Sequence, residues 1–304
     1  MSAPLVWLPF DPERLGEPPS GLRYEVVDPT EHVPDSVAEV EFYVPPYQVG
    51  RRVGEVLPRM SALKVVQTMT AGVDNVRAYV PEGVLLCNGR GIHDTSTAEL
   101  AVTLTLSSLR GVPGFVRAQD RGEWDAQWRP ALADKQVLLV GYGAIGEAID
   151  ARLRPFEVDV VRVARSARAG VHGIDELPAL LPGADVVILI LPLTEATRGL
   201  VDREFLDRMK DAALLVNVAR GPVVDTDALV AALHSGRISA ALDVVDPEPL
   251  PGGHPLWSAP NLLLTPHVGG ASSAMWSRAH RLVRDQLRRF AAGEPLANVM
   301  TGEY

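Results

Sequence analysis

The stretch "QVLLVGYGAIGEAIDARL" at 136–153 restricts the fold of this chain more than any other. An apolar run, Val137 to Val140, ends in Gly141, Gly143 and Gly146, and a helical pattern starts at once. A strand apolar on both faces must be covered on both faces, and a glycine turn leading into a helix opens a β–α–β crossover. The G-x-G-x-x-G spacing has a mechanism in that setting. The first glycine makes the tight turn, the second lets the backbone approach a pyrophosphate, and the third lets the helix pack on the strand. Free N–H groups at the helix start then favour negative charge. The stretch reads as a dinucleotide site at Gly141, Gly143, Ala144, Ile145 and Gly146; a tight turn without ligand is the alternative. A P-loop is excluded, because no Gly-Lys-Ser/Thr follows.

Strand and helix patterns keep alternating after this point. "VDVVRVA", "ADVVILILP", "ALLVNVA", "SAALDVV" and "NLLLTPHV" read as strands, separated by helical "DELPALLPG", "DREFLDRMK" and "TDALVAALHSG". This predicts a parallel sheet with helices on both sides. In the first 90 residues, "LVWLPF", "RYEVVD", "VEFYV", "LKVVQTM" and "VLLCN" read as five strands, with a helix in "VGRRVGEVLPRM" between the third and fourth. "STAELAVTLTLSSLRGVPGFVRAQDRGEW" reads as one long helix, or as two broken near Gly111 and Pro113. Ser96 and Glu99 make an S-x-x-E capping pattern, which predicts a start at Ser96. A last helix is predicted from about Ala271 to Ala292.

The 304 residues and 47% hydrophobic content suffice for two domains with their own cores. A net charge of -9 argues against a nucleic-acid footprint. Cys87 is the only cysteine, so neither a disulfide framework nor a multi-cysteine metal site is expected; it reads as a small buried residue in a reducing, cytoplasmic protein. The start, "MSAPLVWLPF", has no basic leader and is broken by Pro4 and Pro9, so neither a signal peptide nor a membrane span is expected.

A dinucleotide fold of this kind places an acid about 20 residues past the fingerprint, on the adenosine ribose. Here Ala164 stands near that point, followed by Arg165, Ser166 and Arg168; Asp159 comes too early, at the start of the strand. A carboxylate would repel a 2′-phosphate, whereas an arginine pairs with it and a serine adds a hydrogen bond. The segment predicts NADP over NAD, with NAD use still open. Arg165 is the first candidate for the clamp and Arg168 the second.

Three later strand ends carry polar groups: Arg220 in "LLVNVARGPVVD", Asp243, Asp246 and Glu248 in "ALDVVDPEPLP", and His267 in "LLLTPHVGG". Carboxyl ends of parallel strands line the ligand crevice. A histidine there can exchange a proton, a carboxylate behind it orients the ring and raises its pKa, and an arginine can clamp an α-keto acid.

Together with "VGYGAIG", "LPLTEATRGLV", "TAGVDN" and "STAEL", these pieces resemble the D-isomer-specific 2-hydroxyacid dehydrogenase family, in family order and over nearly the whole chain. The resemblance implies an α/β fold of two Rossmann-like domains. The cofactor domain, 94–271, would hold a doubly wound parallel sheet. A smaller, flavodoxin-like substrate domain would combine 1–93 with 272–304, with substrate in the cleft between the two. It implies that Arg220 binds substrate, that His267 is the acid/base, and that Glu248, before Pro249, is its carboxylate partner. Asp246 stays open as that partner, because "SGRISAALD" makes the Arg220–Glu248 stretch one residue shorter than the family pattern. Asp243 would border the nicotinamide carboxamide, with Pro192, Val218 and Gly269 also at the cofactor, and the Ala71 and Gly72 N–H groups would meet the substrate carboxylate.

The implied reaction is reduction of a small 2-keto acid, glyoxylate or hydroxypyruvate, by NADPH to the D-2-hydroxy acid. The helix from Ser96 would help build a homodimer. The "QTMTAGVDN" loop with Met69, the region near Trp124 and Trp128, and Trp276 are candidate pocket walls. Two alternatives stand beside this: another dehydrogenase on the same scaffold, acting on a bulkier keto acid, formate or phosphite, and a non-enzymatic cofactor-sensing protein.

Overall fold

The computed structural model describes residues 3–47 and 52–302. The chain divides into two compact units, Met1–His93 with Ser273–Tyr304, and Asp94–Ser272.

The first unit is built on five parallel strands: β1 (Leu5–Leu8), β2 (Arg23–Val26), β3 (Val40–Tyr43), β4 (Val65–Gln67) and β5 (Leu85–Cys87). Their order is β2-β1-β3-β4-β5, the flavodoxin-like arrangement. Alternation along β1 divides the core in two. Leu5 and Trp7 pack on one face with Val53, Val56 and Leu57. Val6 and Leu8 pack on the other with Met275, Ala279, Val283 and Leu287. Those last four, one turn apart, form the apolar stripe of the final helix, Met275–Ala292, which stops at the left-handed Gly293 (φ 69°).

Two expectations change here. The final helix starts at Met275 and not near Ala271, because Met275 is the first residue of its apolar stripe. The helix expected in "VGRRVGEVLPRM" is a single turn, α1 (Val53–Val56), continued by a 3-10 turn over Leu57–Arg59; residues 49–51 of that expectation lie outside the described residues.

The second unit opens with two helices, α2 (Asp94–Leu109) and α3 (Val112–Asp120). Gly111, left-handed at φ 66°, and Pro113 in the next first turn break them apart. Helix α2 begins two residues before the expected Ser96. The Ser96 hydroxyl is not a cap: it lies 2.5 Å from Ser272 Oγ. Seven parallel strands follow: β6 (Gln136–Val140), β7 (Asp159–Ala164), β8 (His172–Gly173), β9 (Val186–Leu189), β10 (Leu214–Asn217), β11 (Ser239–Leu242) and β12 (Leu262–Leu264). Strand β8, two residues long, is too short to leave a sequence pattern. Helices α4 (Ala144–Leu153), α5 (Leu177–Leu180), α6 (Arg203–Arg208) and α7 (Thr226–His234) connect them, so the final helix is α8.

The order β12-β11-β10-β9-β6-β7-β8 is the doubly wound arrangement with one further strand. Leu138 and Val140 of β6 face Phe205, Leu206, Leu229 and Leu233 of α6 and α7. Val137 and Leu139 face Ala98, Ala101, Ile149 and Leu153 of α2 and α4. Each such buried Val, Leu, Ile or Phe side chain contributes about 1.5–3 kcal/mol. Winding reverses beside β6, between β7 and β9, and the crevice outside the strand ends opens at that point.

Candidate active site

The glycine turn after β6 is built as its spacing requires. Gly141 sits at φ 108°, and a Cβ on it would come within 2.4 Å of the Ile190 carbonyl oxygen. A Cβ on Gly146 would come within 2.2 Å of the Gly141 carbonyl oxygen, so helix and strand meet only because both are glycine. Gly143 differs: a Cβ there would meet nothing within 4 Å. It is also the N-cap of α4 and supplies no capping side chain, so no side chain occupies the first-turn N–H groups of the helix. Pro192 lies just past β9, and Val218 just past β10 with its N–H on the Leu189 carbonyl. The ribose loop after β7 carries exposed Arg165, Ser166 and Arg168 and no acid, while Asp159 opens the strand at its far end.

At the other end of the same sheet edge, His267 Nδ1 donates to Glu248 Oε1 in a very short contact. This brings together the histidine and one of the two candidate carboxylates; Asp246 is held through its backbone carbonyl, which accepts from Thr226 Oγ1 at 2.9 Å. The Glu248 hydrogen bond raises the imidazole pKa above its ordinary value, against the lowering effect of burial; the Glu248 charge also raises it, and the Arg220 guanidinium opposes. That opposition places Arg220 within electrostatic reach of the ring. His267 Nε2 makes no hydrogen bond among the described residues, so it is the nitrogen left to exchange a proton.

The local chain explains why these groups sit where they do. His267 is left-handed at φ 53°, a conformation that costs about 1–3 kcal/mol outside glycine and needs outside support. Asp243 supplies it. Its buried carboxylate accepts from Thr265 Oγ1 at 2.6 Å, Val268 N at 2.9 Å and Gly269 N at 2.8 Å, and its carbonyl accepts from His267 N at 2.7 Å. The expected place of Asp243 beside the nicotinamide carboxamide is therefore joined by a second task, bracing the histidine loop, that the sequence did not reveal. Asn217, buried at the end of β10, accepts from Ala219 N at 3.0 Å and donates to the Arg220 carbonyl at 3.0 Å, which shapes the arginine turn. The signal for it was a lone amide closing the apolar run "LLVN". Gly221 lies so close to the acidic loop that a Cβ would meet the Val245 carbonyl oxygen at 1.8 Å.

In the first unit, the "TMTAGVD" loop follows β4. The Ala71 carbonyl accepts from Asn88 Nδ2 at 2.9 Å and the Gly72 carbonyl from Thr70 Oγ1 at 2.7 Å. The Ala71 and Gly72 N–H groups donate to nothing among the described residues. Two adjacent backbone N–H groups without a partner among the described residues are donors that an anion such as a carboxylate can use. Met69 does not narrow a pocket: it is buried in the core with Val6, Leu8 and Ile92. Trp124 and Trp128 are 98% and 102% exposed among the described residues, and Trp276 tilts against His280. Cys87 is buried, as its apolar run suggested.

The family model described as "D-isomer specific 2-hydroxyacid dehydrogenase, NAD binding domain" matches residues 102–269. The chain belongs to that family. The human protein named glyoxylate reductase/hydroxypyruvate reductase is 34% identical over 249 residues, covering 77% of this chain and 76% of its own. A D-isomer specific 2-hydroxyacid dehydrogenase from Xanthobacter autotrophicus Py2, solved with NADPH and MES, aligns with a TM-score of 0.81 at 34% identity over 99% of this chain and 98% of its own. An NADPH-dependent glyoxylate/hydroxypyruvate reductase from Sinorhizobium meliloti, solved with NADP and sulfate, aligns at 0.84 with 27% identity over 98% of each. This dehydrogenase is thus an NAD(P)-dependent oxidoreductase. Its glycine turn fits the cofactor, since the space in front of Gly143 and the uncapped start of α4 suit a pyrophosphate. Among the described residues no group of three His, Cys, Asp or Glu is placed to hold a metal ion, and no helix is long and apolar enough to cross a membrane.

Proposed function

We propose that this dehydrogenase is an NADPH-preferring reductase of small 2-keto acids, glyoxylate and hydroxypyruvate foremost, yielding the D-2-hydroxy acid. The observation that carries the reading is the His267–Glu248 pair beside Arg220, on the same sheet edge as a ribose loop with arginines and no acid. The names of the human and Sinorhizobium relatives point the same way.

When bound, the reduced nicotinamide supplies a hydride to the substrate's carbonyl carbon. The chain does the rest. The Ala71 and Gly72 N–H groups take the substrate carboxylate, and Arg220 binds the keto acid and polarises its carbonyl. His267 gives the Nε2 proton to the carbonyl oxygen, and Glu248 stabilises the imidazolium beforehand. Asp243 holds the loop that aims the ring and borders the carboxamide, with Pro192, Val218 and Gly269 completing the cofactor wall. Arg165, Ser166 and Arg168 receive the 2′-phosphate.

The domain roles follow: 94–271 for cofactor, and 1–93 with 272–304 for substrate. Fully exposed Trp124 and Trp128, with exposed Val112 and Val116 on α3, form an apolar arm that a second copy would cover, giving a homodimer. A cytoplasmic setting goes with this reading: the one cysteine, Cys87, is buried and has no second cysteine to pair with.

The test is oxidation of NADPH and NADH against a panel of keto acids. Glyoxylate and hydroxypyruvate are expected to give the highest kcat/KM, with NADPH ahead of NADH. Turnover confined to bulky keto acids, or to formate or phosphite with NADP, would replace the substrate reading; no turnover at all would favour a cofactor sensor.

A further inference from the structure

Tyr142 stands inside the glycine fingerprint, and the cofactor reading gives it no task. Its surroundings do. The hydroxyl donates to Asp150 Oδ2 at 2.8 Å. Asp150 is fully buried on α4 and accepts two bonds from Arg162, at 3.1 Å each, and one from Arg154 at 3.0 Å. Burial pushes its carboxyl up, but the bonds from Arg162, Arg154 and Tyr142 outweigh this and hold it down to about 2. The phenol is therefore anchored by a permanent anion.

The ring in turn holds arginines. The Arg162 and Arg168 guanidinium carbons lie 5.8 Å and 5.6 Å from its centroid, within cation–π range. Arg168 Nη2 also donates to the Tyr142 carbonyl at 2.7 Å. The Arg168 backbone is pinned by reciprocal bonds with Val171, at 2.9 and 2.8 Å. Beside Arg168 opens a cleft of about 330 Å³, bordered by Arg162, Val171, His172 and Glu176. Without the ring, the Arg168 side chain has this space to fall into, toward the Glu176 carboxylate.

We propose that Tyr142 is a positioning residue for cofactor choice: it holds Arg168 against the glycine turn as a preformed clamp for the 2′-phosphate, with Asp150 fixing the phenol. The proposal rests on the NADPH preference above and assigns the tethered arm to Arg168. Preorganising an arginine removes part of the ordering cost of binding, so the effect falls on ligands carrying the 2′-phosphate and spares those without it.

The test is calorimetric titration of the full chain with 2′,5′-ADP and with 5′-ADP. The wild type is expected to bind 2′,5′-ADP more tightly. Tyr142→Leu weakens 2′,5′-ADP about fivefold and moves 5′-ADP by less than about twofold. Arg168→Ala weakens 2′,5′-ADP about tenfold. Tyr142→Phe, which keeps the ring and loses the anchor, falls between wild type and Tyr142→Leu. Equal weakening of both ligands in the Tyr142 variants, or no weakening, overturns the proposal. Should Arg165→Ala alone abolish the preference, the proposal falls and the NADPH reading stands. Should the wild type bind both ligands equally, the NADPH reading fails and the proposal with it.

Discussion

The two ends of one sheet edge hold charge in opposite ways. At the β10–β12 end, His267 has one side-chain partner, Glu248, and both side chains are partly open to solvent. At the β6–β7 end, Arg154, Arg162 and Tyr142 all converge on the buried Asp150, and Arg168 is tied to Tyr142. The difference follows from the work proposed for each. A proton donor must change charge during a cycle, so its environment shifts its pKa without locking its state. A phosphate clamp needs a charge that never changes, and arginine in a cross-linked cluster gives that. Support differs too. The histidine loop is braced through its backbone by Asp243, whereas the arginine cluster is braced side chain to side chain.

Breaking the catalytic end gives the largest effect. His267→Gln is expected to lower kcat for glyoxylate about 10²- to 10⁴-fold. NADPH binding, followed by fluorescence titration, stays intact; near-normal turnover would remove His267 from the mechanism. Breaking the phosphate end is milder and selective. Arg168→Ala is expected to raise the KM for NADPH about tenfold and to leave the KM for NADH nearly unchanged. An equal rise for both cofactors would mean that the loop does not read the 2′-phosphate. The smallest effect sharpens the contrast within that end, in the roughly fivefold loss of 2′,5′-ADP affinity expected of Tyr142→Leu.

Most of the fold was legible because its strands are apolar on both faces and its turns carry glycine. The errors have physical causes. Ser96 looked like a cap, but its hydroxyl meets Ser272. "ASSA" looked like helix, but the apolar stripe starts at Met275. At the site, strand-end position pointed to Arg220, His267 and the three acids Asp243, Asp246 and Glu248, the family resemblance favoured Glu248, and the hydrogen bond from His267 Nδ1 goes to Glu248. What stayed hidden depends on direction. A sequence cannot tell that Met69 points into the core, that Asp243 turns toward three donors, or that Tyr142 bridges Asp150 and Arg168.

The central claim, that Glu248 tunes His267 for proton delivery, meets its most direct test in the pH dependence of kcat for glyoxylate reduction, in wild type and Glu248→Gln. A raised imidazole pKa keeps the donor proton at low pH and loses it as pH rises through the raised value. Wild-type kcat should therefore fall with rising pH, with a midpoint above the ordinary histidine value of about 6.5. In Glu248→Gln the carboxylate charge is gone and any remaining hydrogen bond from Nδ1 is to a weaker, neutral amide, while burial and Arg220 still lower the pKa. The midpoint should then drop, and kcat below it should fall about ten- to a hundredfold. The same midpoint in both proteins, or a rate that climbs with pH, would contradict the account.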